Sequence, residues 1–210
     1  MLRLTIDTTG ADGADLAVAA EALRRGGLVA FPTETFYGLA ADPRNAAAVE
    51  AAYQLKGRPA TVAMPLIAAD LQQLADLVGR LSPLILRLAE MWWPGPLSIV
   101  MPAWAGLSPA LLQDGTVAVR VSGLPSACAL ARVFGHPVTA TSANPSGLPA
   151  ACDPDVVAAS LGHGVAVLLD GGLTPGGLPS TIVDATGDRP RLVRAGALPW
   201  DRVLECLDLP

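Results

Sequence analysis

Apolar residues in this chain come in short bursts that switch repeatedly between two-residue and helical spacing. Residues 2–6 alternate as a strand, and a Gly/Asp turn then leads into an amphipathic helix over about 14–25, closed by Gly26 and Gly27. Residues 28–31 form a short apolar strand that runs into Pro32-Thr-Glu-Thr35, where proline and hydroxyls replace the hydrophobic pattern. Such a loop at a strand end is where open α/β sheets place ligands. Alanines 47, 48, 51 and 52 with Leu55 give helical spacing over 45–55, and Pro59 is expected to stop that helix.

The alternation continues to the end of the chain. Strands are predicted at 64–69, 97–101, 117–121, 138–141, 165–169, 181–183 and 192–194. Helices are predicted at 70–78, 83–92, 126–134 and 154–161, with a last turn of helix around 201–207. The order implies an α/β or α+β domain with a large, twisted, mixed β-sheet flanked by helices. No repeat, charge block or linker divides the chain, so a single domain over 1–210 is expected.

Composition narrows the class. Of the 210 residues 51% are hydrophobic and 16% charged, enough apolar material for one core and too few charges for a disordered protein. The 21 glycines and 19 prolines suit many short elements and argue against a long helical bundle. Mean hydropathy is +0.44. The most apolar stretches are nevertheless cut within about a dozen residues, short of the roughly 20 that a membrane-spanning helix needs. The first residues carry no export-signal pattern, and a cytoplasmic location is expected. Cys128, Cys152 and Cys206 have no metal-ligand spacing with one another or with His136 and His163, so reduced thiols and no structural metal are expected.

Net charge is −5, the wrong sign for a protein whose main task is to grip a phosphate backbone. Of the 14 basic residues only Lys56 is lysine. A lysine kept in an arginine background points to a need for a compact ammonium.

Several reaction classes are excluded by motif. The single lysine is followed by Gly57-Arg58, so no G-x-x-x-x-G-K-[ST] phosphate loop exists. No G-x-G-x-x-G follows a strand, and neither H-E-x-x-H nor G-x-S-x-G occurs. His136 and His163 read as loop residues. What remains are polar clusters at strand ends: Pro32-Thr-Glu-Thr35, Lys56-Gly-Arg58, Arg120, Ser142-Ala-Asn144, Ser180-Thr181 and Arg194. Fixed cations with neutral hydrogen-bonding groups, and no Cys or His nucleophile, suit a polyanion such as ATP beside a small carboxylate. Groups at successive strand termini converge on one rim of a sheet.

The series Phe31-Pro-Thr-Glu-Thr-Phe-Tyr-Gly-Leu-Ala-Ala-Asp42, Lys56-Gly-Arg-Pro59, Trp93-Pro-Gly-Pro-Leu97, Val117-Ala-Val-Arg120, Thr141-Ser-Ala-Asn144, Ser146-Gly147, Asp170-Gly-Gly172, Ser180-Thr-Ile-Val-Asp184 and Arg194-Ala-Gly196 resembles the YrdC-like family. The resemblance covers about residues 14–196, with the motifs in family order. It implies the family's reaction: threonylcarbamoyl-adenylate and pyrophosphate made from L-threonine, bicarbonate and ATP. Separate proteins then pass the threonylcarbamoyl group to an adenosine in tRNAs that read codons starting with A. An adenylation needs positioning and charge neutralisation more than a protein nucleophile, which fits the polar residues present.

Carried over by motif, the resemblance implies that Lys56 and Arg58 hold ATP phosphates and are the catalytic pair, with Mg²⁺ as the counterion. It places Thr116, Ser142, Asn144 and Arg194 on the nucleotide. It places Arg120 on the threonine carboxylate, with Thr33 and Ser180 helping to hold the amino acid. The match departs at 60–69, which is apolar where many members carry polar residues and a histidine, and at Leu148-Pro-Ala-Ala-Cys152, where members carry hydroxyls. The first departure implies a changed pocket wall beside the amino acid. The chain resembles the short, single-domain form of the family. Two other readings compete: a protein that binds double-stranded RNA or tRNA, and a paralogue that adenylates a different carbamate.

Overall fold

The computed structural model describes residues 1–9, 13–57, 63–205 and 207. The first part of the chain supplies β1 (Leu2–Thr5), α1 (Gly13–Arg24), β2 (Val29–Pro32), β3 (Tyr37–Ala40), α2 (Ala46–Lys56) and β4 (Leu66–Ala68). The middle supplies α3 (Leu71–Val78), α4 (Pro83–Trp92), β5 (Leu97–Pro102), β6 (Thr116–Val121) and α5 (Pro125–Phe134), with a 3₁₀ turn at Pro109–Leu111. The last part supplies β7 (Val138–Thr139), β8 (Thr141–Ser142), α6 (Pro154–Leu161), β9 (Val167–Asp170), β10 (Thr181–Asp184), β11 (Arg191–Arg194) and α7 (Trp200–Glu205).

The mixed α/β class is the one that the alternation predicts, but the strands divide between two sheets. One has the order β1-β9-β2-β3-β8 and the other β11-β10-β5-β6-β4-β7. Both mix parallel and antiparallel neighbours: β2 lies parallel to β9 and antiparallel to β3, and β6 lies parallel to β4 and antiparallel to β5. The predicted strand at 138–141 is really two. β7 pairs with β4 in one sheet, β8 pairs with β3 in the other, and only Ala140 separates them. Thr139 ties this junction to the neighbouring strand, accepting from Ala41 N at 2.7 Å and donating to Leu39 O at 3.2 Å.

The central strands are apolar on both faces because each face meets a different core. On β2 and β3, Ala30 and Leu39 pack with the larger cluster while Val29, Phe31 and Ala40 face α1 and α5. On β4, Leu66 and Ala68 join the first cluster and Ile67 the second. Helix α1 sends Leu16, Ala19, Ala20 and Leu23 against Leu130 and Phe134 of α5. Strand β3 escaped the sequence pattern because its hairpin with β2 is built from the Thr-Glu-Thr turn instead of an Asn-Gly type signal.

Helix α2 begins at Asn45, whose side chain accepts from Ala47 N and Ala48 N. It ends at Gly57, in the left-handed region at φ 59°, with its N–H on Tyr53 O and Gln54 O. Glycine, and not Pro59 as expected, therefore makes the stop; Pro59 itself lies outside the described residues. The stop leaves Lys56 as the last helical residue, turned inward and 3% exposed. Among the described residues no helix is long and apolar enough to cross a membrane.

Candidate active site

A cavity of about 740 Å³ opens where the two sheets meet. Strand ends and turns from both sheets line it: Thr33, Thr35 and Tyr37 from the β2–β3 hairpin, Ser98 and Val100 from β5, Thr116 and Arg120 from β6, Thr141, Ser142 and Asn144 from β8 and the turn beyond, Ser180 and Ile182 around β10, and Val193 and Arg194 on β11. Seven of the nine residues singled out in the sequence are thus brought together: Thr33, Thr116, Arg120, Ser142, Asn144, Ser180 and Arg194. Arg58 lies outside the described residues, and Lys56 stands behind the wall and does not line it.

Lys56 holds the wall from the rear. Its Nζ donates to the carbonyl of Asn144 at 2.6 Å and to the carbonyl of Ser142, and its own carbonyl accepts from Ser146 N at 2.7 Å. One ammonium therefore fixes the backbone of the 142–146 turn from which Ser142 and Asn144 reach the cavity. Asn144 is itself clamped, its Nδ2 donating to Pro145 O at 2.9 Å and Leu148 O at 2.7 Å, while its buried Oδ1 has no partner among the described residues.

On the opposite side Arg194 donates to Ser180 O at 2.6 Å and to Ser180 Oγ at 3.1 Å, and Ser180 Oγ lies 3.0 Å from Ser98 Oγ. Thr33 Oγ1 donates to Phe36 O at 2.7 Å and lies 3.2 Å from Thr35 Oγ1, closing the hairpin turn into a hydroxyl pair. Thr116 Oγ1 donates to Gln113 O at 2.7 Å. Close packing keeps this wall in place: a side chain at Gly196 would meet Pro179 O at 2.3 Å and Thr181 N at 2.6 Å.

Arg120 is the charged residue of the floor. Its Nη1 donates to Glu34 Oε1 at 2.8 Å, and the Ser122 hydroxyl donates to the other oxygen of Glu34. Burial pushes the guanidinium pKa down from its ordinary value, and the Glu34 carboxylate opposes that shift. Arginine stays charged in such a setting. Glu34 is the residue that sequence reasoning missed, although it lies inside the quoted Pro-Thr-Glu-Thr motif. Ser98 was missed too; its alternation with Val100 on β5 was the available signal.

The two departures fall on the cavity. Ala63, Pro65 and Leu66 line it from the 60–69 segment, of which residues 60–62 lie outside the described set, and Leu148 and Ala150 line it from the 148–152 segment. No acidic side chain lines the cavity among the described residues. Its polar groups are hydroxyls, amides and guanidinia, a set that offers neutral hydrogen bonds and positive charge to an anion. Behind Ser122, burial pushes the Cys128 thiol up to about 11, which disfavours the reactive thiolate, and its Sγ lies 3.2 Å from Ser122 O.

The Sua5/YciO/YrdC family model, described as "Telomere recombination", matches residues 21–196. A threonylcarbamoyl-AMP synthase of Bacillus subtilis is 38% identical over 199 residues, which is 94% of this chain and 58% of the relative. One of Thiobacillus denitrificans is 44% identical over 167 residues, covering 79% of this chain and 88% of that one. Among solved structures, Pyrococcus abyssi Sua5 complexed with L-threonine superposes with a TM-score of 0.90 at 33% identity, covering 99% of this chain and 61% of that chain. The chain therefore spans a little under two thirds of the longer relatives. The family match takes in every strand that carries a cavity residue, and the chain belongs to the Sua5/YciO/YrdC family.

Proposed function

We propose that the chain is an L-threonylcarbamoyladenylate synthase, a nucleotidyltransferase that joins L-threonine, bicarbonate and ATP and releases pyrophosphate. The observation that carries this reading is the gathering of Thr33, Thr116, Arg120, Ser142, Asn144, Ser180 and Arg194 on one cavity. Its volume of about 740 Å³ lies in the range of sites that enclose a small ligand. Relatives named threonylcarbamoyl-AMP synthases and a relative solved in complex with L-threonine support this reading.

In this reading Arg120 receives the carboxylate of threonine, with the Thr33 and Ser180 hydroxyls beside the amino acid. A charge-assisted bond of that kind contributes on the order of 1.5–3 kcal/mol. The threonine amine bonds to the carbon of bicarbonate as a C–O bond breaks and water leaves, and an oxygen of the resulting carbamate attacks the α-phosphate of ATP while the bond to pyrophosphate breaks. Ser142, Asn144, Thr116 and Arg194 hold the nucleotide, Arg58 meets its phosphates, and Lys56 supports the phosphate side through the 142–144 backbone. The chain's work is to place two anions against each other and to offset their charge.

The cavity donors fit a Mg²⁺ that arrives on the triphosphate. Among the described residues they are neutral oxygens such as Ser142 and Asn144, without the carboxylates of a dedicated protein site. Bound there, the cation would neutralise phosphate charge. The adenylate then passes to tRNA threonylcarbamoyl-transfer proteins, which places the chain in the cytoplasm.

The test is pyrophosphate release by the purified protein with ATP and Mg²⁺, with threonine and bicarbonate each omitted in turn and serine run in parallel. Release that requires both threonine and bicarbonate is expected. Release with another amino acid in preference to threonine transfers the assignment to a different carbamate, and no release above the threonine-free control removes it.

A further inference from the structure

Arg120 sits on β6, a strand paired on both sides, so its backbone is fixed. Its long side chain is not fixed by that pairing. Glu34 does the fixing from the other sheet. It projects from the β2–β3 turn, and its carboxylate crosses to Arg120 Nη1 at 2.8 Å and to the Ser122 hydroxyl. Ser122 is anchored in turn: its hydroxyl accepts from Leu124 N at 3.2 Å, and its carbonyl lies 3.2 Å from Cys128 Sγ. Glu34 does not line the cavity, whereas Arg120 does.

The geometry points to Glu34 as the positioning residue for Arg120: from outside the cavity, its carboxylate holds Nη1 of the guanidinium and leaves the other N–H groups to a ligand carboxylate. One carboxylate oxygen meets Nη1 while the other is held by the Ser122 hydroxyl, so the group that faces the guanidinium is itself fixed in orientation. The same contact supplies the buried guanidinium with a counter-charge before any ligand arrives. This inference rests on the proposed function in one respect only, the carboxylate that Arg120 receives.

The test compares Glu34→Gln, Arg120→Gln and the double variant in threonine-dependent pyrophosphate release, with KM for threonine and for ATP measured separately. Glu34→Gln is expected to raise the threonine KM by about tenfold or more, the loss of one charge-assisted contact, and to leave the ATP KM within about twofold. Added to Arg120→Gln it is expected to change nothing further, because both act through one group. Additive effects, or equal rises in both KM values, would overturn the inference. Ser122→Ala keeps the ion pair and removes one support of Glu34. It is expected to raise the threonine KM by about two- to fivefold, which serves if Glu34→Gln does not fold.

A readout without substrate separates this inference from the functional reading. In protein carrying ¹⁵N-arginine, the Arg120 guanidinium is expected to show restricted rotation that Glu34→Gln abolishes. If the wild type releases no pyrophosphate but that change is seen, the synthase reading falls and the positioning role stands. If the Arg120 signals are the same in both proteins, the positioning role falls.

Discussion

Replacing Lys56 by methionine keeps the length of the side chain and removes its charge, which separates two roles for the ammonium. The structure puts Nζ on the carbonyls of Ser142 and Asn144, in a residue only 3% exposed. The substitution takes the ammonium from the Asn144 carbonyl, whereas the Ser142 carbonyl still accepts from Asn144 N at 3.0 Å. At about 1–3 kcal/mol for one unsatisfied buried group, the loss is roughly 1–3 kcal/mol. For a domain of this size each kcal/mol moves Tm by about 2–4 °C, so a fall on the order of 6 °C is expected. The 142–146 turn should loosen with it, weakening nucleotide binding. The assay is thermal unfolding by circular dichroism alongside calorimetric titration with ATP. A Tm within about 2 °C of wild type, together with a hundredfold loss of ATP affinity, would refute the reasoning and return the ammonium to direct phosphate contact.

Three further outcomes are expected. Burial pushes the Tyr37 hydroxyl up to about 12 from an ordinary 10.0, so the tyrosine contributes stability that is complete below pH 10 and is lost as pH rises towards 12. At pH 11 the loss is about 1.4 kcal/mol, read from urea midpoints, and Tyr37→Phe should flatten the slope between pH 9 and 11; an unchanged slope in that variant contradicts it. Asp70 caps α3 by accepting from Gln73 N, and that contact, aided by Arg132, holds its carboxyl below the usual range. Asp70→Ala should cost about 1 kcal/mol at pH 6, and the gap from wild type should shrink as pH falls below 4, which chemical denaturation at the two pH values measures. Gly196→Ala forces a methyl group against Pro179 O at 2.3 Å. The wall that holds Ser180 and Arg194 must shift, and Tm should fall together with threonine and ATP affinity; a variant with wild-type values for all three removes the packing argument.

Local spacing carried most of the elements because each core face repeats at its own period. The bounds of α4 and α6 are those that Pro83, Trp92, Pro154 and Leu161 predict, and β5 and β6 begin within a residue of expectation. What escaped had no local signal. Strand β3 follows a hairpin turn without an Asn-Gly type sequence, and the break at Ala140 depends on pairing across the chain, where no run of two residues signals a strand by itself. In the site, side chains at strand ends could be read as one rim, but direction could not. The separation of 86 positions between Glu34 and Arg120 hides their ion pair from any local pattern. The inward turn of Lys56 follows from how far α2 winds before Gly57 ends it.

The junction at 138–142 acts as a ruler for the whole cleft. Val138 and Thr139 keep step with β4, Thr141 and Ser142 keep step with β3, and one residue is all the slack between them. Side chains alternate along extended chain, so a single insertion at Ala140 would reverse the facing of one half relative to the other. Thr139 would lose Ala41 or Ser142 would leave the cavity, and no adjustment elsewhere restores both. Length at this point is therefore under tighter constraint than side-chain identity: the stretch should accept substitutions of similar size and reject any change in the number of residues.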